Sequence, residues 1–345
     1  MPPRVNPLAL HAQQLAKTYG SRVGTRPSAP YAVVSTGSLT LDYALRSGGW
    51  VQGRIHEIVG PPDVGKSTVA ISSLREQQLA DPERGVAYID VEGTFDYDWA
   101  EGLGLDCSDE ATAAGRWVHL YAGTSEEASD MARQCTRSGL YSMVAVDSIG
   151  GMESKKALER DAEDDLVGKN AQVITRMVKH LASLARTGRT TLLLVNQHRQ
   201  VVGRFGGNTS AGPMAMKHAT TTKVTMSRTN EEQRKLRFET GGPLEPVATQ
   251  MRARVDRSKI VPPGRVAEYW ICNRPTEQMG PPGIYVIDEY AELGIRLGVI
   301  KLGGAWYTFP GGLKVQGREK VVAAMQGDKK VMAEVRTAIF AGDAS

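Results

Sequence analysis

Cysteine is scarce in this chain: Cys107, Cys135 and Cys272 stand far apart, with no CxxC pair and no histidine at zinc spacing. That excludes a disulfide framework and a cysteine-rich metal module, and leaves three reduced structural thiols. Aromatic residues make up only 6% of the chain, and no run approaches the roughly 18 apolar residues of a membrane span. The opening Met1-Pro2-Pro3-Arg4 has no apolar block of signal-peptide type, so a soluble, cytoplasmic protein with no membrane partner is expected. A strong charge of one sign is also lacking, since 42 Lys and Arg against 38 Asp and Glu leave only +4. A polyanionic partner would therefore have to be met by a local patch. What is present is a 41% hydrophobic, 23% charged composition over 345 residues, enough for one large core with small appendages.

The charge is unevenly spread. Residues 198–217 carry Arg199, Arg204 and Lys217 and no acid, and residues 251–265 hold Arg252, Arg254, Arg257, Lys259 and Arg265 against Asp256 alone. Residues 159–165 hold five acids and one arginine. Apolar spacing predicts an amphipathic helix over 8–19, then a Gly/Pro/Ser-rich connector over 20–30. Ser38 can cap a helix that begins at Leu39 and stops before Gly48-Gly49. Strands are expected at 54–59, 85–90, 117–121, 143–147 and 191–196, with helices near 65–80, 125–137 and 169–186 between them. That alternation predicts an α/β fold with a mostly parallel twisted sheet flanked by helices. Beyond Ala219, strand-like runs at 222–228, 235–240, 250–255 and 267–271 suit an antiparallel extension, and a small module follows after about Glu289.

Gly60-Pro61-Pro62-Asp63-Val64-Gly65-Lys66-Ser67 fits GxxxxGK[ST], and Thr68 follows it between a predicted strand and a predicted helix. In that setting the backbone N–H groups and the helix N-terminus can cradle phosphates. Lys66 reaches the outer phosphates, and the Ser67 hydroxyl can bind Mg²⁺. Asp147 ends an apolar strand, as a Mg²⁺-holding carboxylate does in P-loop enzymes, though an Asp capping the next turn reads the same way. Glu92, just past the 85–90 strand, could activate water or be a surface acid. Asn196-Gln197 closes another strand, where an amide could sense the terminal phosphate or simply end the strand.

These segments together resemble the bacterial RecA family of ATP-dependent DNA recombinases. The likeness rests on Ser35-Thr36-Gly37-Ser38-Leu39 with Asp42, Gly53-Arg54-Ile55, Ile89-Asp90-Val91-Glu92, Val146-Asp147-Ser148 and Val195-Asn196-Gln197-His198-Arg199. Gly304-Ala305-Trp306-Tyr307 and Gln316-Gly317 in the final module extend it.

The resemblance implies a RecA-like core at 31–290, a polymerisation arm at 1–30 and a C-terminal domain at 291–345. It implies Glu92 as the catalytic carboxylate, Gln197 as the γ-phosphate switch, and Lys66, Ser67 and Asp147 as ligands of ATP and Mg²⁺. Asp96 and Trp99 fall where the family places residues against the adenine, and a further adenine-contacting Tyr is expected to be replaced by Ile287. Arg257 and Lys259 match two cations that reach the nucleotide of the neighbouring subunit. DNA-binding loops are implied near 153–167 and 198–217, with Arg199, Arg204, Lys217 and Lys179 as contacts and Phe205 as a candidate wedge. Gln172 stands where the family has an Arg, and the second loop is two residues short. The implied partners are single-stranded DNA, homologous duplex DNA, further copies of the chain in a helical filament, and single-strand-binding and loader proteins. DNA repair and the SOS response are the implied setting. The chain stops at Ala341-Gly342-Asp343-Ala344-Ser345 without the family's long acidic tail, which suits a phage-encoded or specialised member. Two other readings share the core: a non-catalytic regulatory partner, and a hexameric helicase or branch-migration motor.

Overall fold

A computed structural model describes residues 7–19, 31–151, 166–201, 207–210, 214–229, 235–238, 245–276 and 279–343. The chain divides into two compact units, residues 1–32 and 33–345. The first contains helix α1 (Pro7–Tyr19), which exposes Leu8, Leu10 and Leu15.

The second unit begins with β1 (Val33–Val34), α2 (Leu39–Ala44), β2 (Trp50–Val51), β3 (Ile55–Gly60), α3 (Lys66–Ala80) and β4 (Gly85–Asp90). It continues through α4 (Tyr97–Gly102), α5 (Asp109–Ala113), β5 (Trp117–Tyr121), α6 (Ser125–Ser138), β6 (Tyr141–Asp147), α7 (Leu166–Gly188), β7 (Thr191–Val201) and β8 (Gly207–Ser210). Next come α8 (Met214–Ala219), β9 (Thr222–Arg228), β10 (Lys235–Phe238), β11 (Glu245–Ser258), β12 (Val266–Cys272) and β13 (Gly283–Ile284). The last part is α9 (Val286–Arg296), β14 (Lys301–Gly303), β15 (Trp306–Thr308), β16 (Lys314–Gln316), α10 (Arg318–Gly327) and α11 (Lys329–Asp343).

The main sheet has the order β13-β12-β11-β9-β3-β7-β6-β4-β5. From β9 to β5 every pair is parallel, and β11, β12 and β13 add antiparallel strands. The expected antiparallel extension therefore starts one strand later than its sequence position suggests. β9 itself lies parallel to β3, since α8 precedes it and returns the chain to the strand-start end of the sheet.

Alternation along the central strands explains why they are nearly all apolar. Val86, Tyr88, Met143, Ala145, Leu193 and Val195 enter the cluster shared with α3 and α4. Their neighbours Ala87, Ile89, Val144, Val146, Leu192 and Leu194 enter the one shared with α6 and α7. α7 buries Ile174, Met177, Val178, Leu181 and Ala185, a helical stripe. A third cluster joins Leu39 to Tyr290, Leu293, Val321, Met325, Val335 and Ile339 of α9, α10 and α11. Polar contacts reinforce that joint: Arg336 reaches the fully buried Asp42 at 3.0 Å, and Glu289 accepts from Ser38 Oγ and Thr40 N at 2.7 Å each.

The stretch 198–217, expected as a loop, is partly regular. β7 runs on to Val201 and pairs antiparallel with β8, and 214–219 is helical.

Candidate nucleotide site

Strand β3, buried throughout, delivers Gly60 into the loop that ends on α3. A Cβ on Gly60 would lie 2.7 Å from the Met226 carbonyl oxygen, and one on Gly65 would lie 2.3 Å from Ile271 Cδ1. Gly65 also has φ 76°, so packing requires the glycine at 60 and backbone conformation the one at 65. Asp63, between them, has φ 56°, and the Arg228 guanidinium donates to its carbonyl oxygen at 2.7 and 3.0 Å. Arg228 thus ties the end of β9 to the loop, a role no sequence motif announced. The loop opens on a cleft of about 520 Å³ lined by Lys66, Ser67, Thr68 and Trp99 on one side and Met251 and Asn273 on the other.

Lys66 Nζ donates to the Pro61 carbonyl at 2.6 Å. Burial lowers the pKa of this ammonium, and the carboxylates of Asp147, Glu92 and Asp63 act against that shift. Asp147 Oδ2 accepts from Ser67 Oγ at 2.6 Å and from Tyr88 Oη at 2.7 Å. Burial raises the Asp147 pKa, while the two hydroxyl donors and Lys66 hold it down. A hydroxyl and a carboxylate paired beside a phosphate cradle fit Mg²⁺, a hard cation that takes one or two protein oxygens and completes its shell elsewhere. The same loop, with its glycine cradle and buried ammonium, fits a nucleotide's phosphates.

Glu92 is placed by Asp90, the last residue of β4. Asp90 Oδ1 accepts from the backbone N of Glu92 at 3.1 Å and Gly93 at 2.8 Å, and its Oδ2 accepts from Phe95 N at 3.0 Å. The turn so formed presents Glu92 Oε1 to Ser148 Oγ, a hydrogen bond, and to Gln197 Nε2 at 2.8 Å. Gly151 must be small here, since a Cβ would stand 2.9 Å from that same oxygen. Asn196 turns the other way, its Nδ2 donating to buried Glu57 at 2.8 Å, so the amide facing the site is Gln197, which lies within β7 and does not close it as expected. The ends of β4 and β6 and the interior of β7 therefore converge on one carboxylate.

Other expected site residues are more dispersed. Trp99 lines the cleft, whereas Asp96 caps α4 by accepting from Trp99 N at 2.9 Å and does not line it. Pro61 and Pro62 are exposed, and Val64 is buried beneath the loop. Ile287 packs in the C-terminal cluster, and Asn273 reaches the cleft from the end of β12. Arg257 donates to Thr220 Oγ1 and Lys259 to the His218 carbonyl. Burial, then Arg257 and Arg54, lowers the Lys259 pKa. Both cations stand far from this chain's own cleft. Arg257 is six residues beyond the cleft-lining Met251 on one strand, about 20 Å at 3.3 Å per residue. Lys179 and Lys217 are exposed on α7 and α8. Arg199 pairs with Thr209 in the β7–β8 ladder. Arg204, Phe205 and nearly all of 153–167 lie outside the described residues.

Comparison with known proteins identifies the family. Residues 7–274 match the family described as RecA N-terminal domain. The chain is 32% identical over 322 residues to Protein RecA of Staphylococcus aureus (strain JH9), covering 92% of this chain and 84% of that one. It is 30% identical over 342 residues to Protein RecA of Sulfurimonas denitrificans, covering 97% and 92%. With Protein RecA of Sulfurovum sp. (strain NBC37-1) the identity is 29% over 337 residues, covering 95% and 90%.

Proposed function

The chain belongs to the RecA family, and on that premise we propose that it is an ATP-dependent recombinase. In this reading it forms helical filaments on single-stranded DNA, pairs that strand with homologous duplex and exchanges strands. Residues 1–30 are the polymerisation arm, 31–290 the ATPase core and 291–345 a C-terminal domain. Lys66 and the loop N–H groups bind the phosphates of ATP, and Ser67 with Asp147 would hold Mg²⁺, which supplies charge neutralisation when bound. Trp99 offers a flat apolar face to the base. Glu92 orients a water and takes its proton as the oxygen attacks the terminal phosphorus, so that ADP leaves with the bonding electron pair.

The observation that carries the reading is the 2.8 Å hydrogen bond from Gln197 to Glu92. Gln197 lies on β7, the strand that continues into the basic 198–217 segment. A group that senses the nucleotide and the start of a DNA-binding segment are thus one piece of backbone, which favours a DNA-dependent ATPase over a regulatory partner. Arg257, about 20 Å along the strand from the cleft, and Lys259, just past the end of that strand, serve the ATP of a neighbouring subunit, which makes polymerisation a condition of hydrolysis.

Electron microscopy of the protein with single-stranded DNA and a non-hydrolysable ATP analogue tests this directly. Helical filaments that need both ligands are expected. Closed rings would point to a motor instead, and absence of any assembly would refute the recombinase reading.

A further inference from the structure

A groove between α6 and α7 stands apart from the nucleotide cleft. Its end pocket, about 320 Å³, is lined by Arg133, Arg137, Lys179, His180, Ser183 and Leu184, with no carboxylate. A second pocket shares Arg133 and His180 and adds Arg176, together with Glu126 and Asp130. Several arginines among the described residues are answered by acids, as Arg84 is by Asp81, Arg254 by Asp256 and Arg318 by Asp288. In the groove only Arg133 is, by Asp130. Arg137, Arg176 and Lys179 make no ion pair among the described residues. The positive charge comes from two helices whose packing is fixed by Ala132, Cys135, Met177, Val178 and Leu181 beneath it. The cations are therefore held toward one concavity, where they repel one another until an anion enters.

Taking the chain as DNA-binding, we propose that this end pocket is a phosphodiester seat, a nucleic-acid contact separate from the 198–217 segment. A backbone phosphate suits it better than an acidic peptide, because the pocket offers several N–H donors and a hydroxyl around one small space. A peptide carboxylate run would extend along the groove toward Glu126 and Asp130, where it would be repelled. The acids at that end also set a polarity, so the strand enters and leaves over the Arg137 end.

The test is the double variant Arg133→Gln, Arg137→Gln, compared with wild type for binding of single-stranded and duplex oligonucleotides as salt is varied. The slope of log affinity against log salt should flatten by about 0.9 for a duplex ligand, or about 0.7 for a single strand, the value for one lost phosphate contact. The ligand whose slope changes is the one that the groove holds. ATP hydrolysis with saturating single-stranded DNA at low salt should be unaltered. Unchanged slopes for both ligands, with wild-type binding intact, would overturn the seat and leave the recombinase reading standing. Loss of inorganic phosphate or poly-glutamate binding with both DNA slopes unchanged would also overturn it. A wild-type protein that binds no DNA would overturn both readings together.

Discussion

Asp90→Asn is a perturbation whose consequences can be worked from the structure. Asp90 is 2% exposed, and its two oxygens accept three backbone N–H groups that shape the turn carrying Glu92. The amide that replaces it has one acceptor oxygen, and its NH₂ must face an N–H donor. A hydrogen bond to a buried charge contributes about 1.5–3 kcal/mol, and the orphaned donor adds to the loss, so about 3 kcal/mol of stability should go. With an unfolding entropy of about 2.1 cal/mol/K per residue over 345 residues, that lowers Tm by about 4 °C. Hydrolysis should suffer more than stability. A displacement of about 1 Å in a catalytic group costs about 10²-fold, while the phosphate cradle on β3 and α3 is untouched. Calorimetry, nucleotide titration and single-turnover hydrolysis read the three effects separately. Wild-type hydrolysis in a variant whose Tm has dropped as expected would refute the claim that Asp90 positions Glu92.

Two further outcomes follow from groups elsewhere. Burial pushes the Glu289 carboxyl up to about 8 from its usual 4.5, against the hydrogen bonds from Ser38 and Thr40, with Asp42, Arg336, Tyr269 and Tyr290 around it. The native state then keeps a proton that the unfolded chain has released, so stability should fall as pH rises from about 4.5 to 8, and denaturant titrations of Glu289→Gln should show a flatter profile. Arg257→Ala and Lys66→Ala subunits, each inactive alone, should recover some hydrolysis when mixed, since an intact cradle then meets intact cations across an interface. No recovery in mixtures shown to co-assemble would exclude action in trans.

Much of this architecture is legible in the sequence because the strands are short apolar or alternating runs bounded by turns. The runs at 85–90, 117–121 and 222–228 coincide with β4, β5 and β9 residue for residue. Strand direction is not written in such runs; it depends on the connection, which is why β9 proved parallel to β3. The short helices α4 and α5 escaped notice because six and five residues carry too little periodicity. At the site, the phosphate cradle and the strand-end position of Asp147 could be read directly. Ser148 and Arg228 could not, because contacts across 56 and 165 positions of chain leave no local pattern, and Asp90 acts only by holding the turn two to five residues ahead of it. One signal for Asp90 was available: a charged residue closing an otherwise apolar strand two positions before Glu92.

If one amide, that of Gln197, couples the nucleotide site to DNA, Gln197→Ala should uncouple them. ATP hydrolysis should be measured with and without single-stranded DNA in wild type and variant, alongside nucleotide affinity. The wild type should be stimulated by DNA, and the variant should bind ATP and DNA yet lose that stimulation. Equal stimulation in both proteins would contradict the coupling.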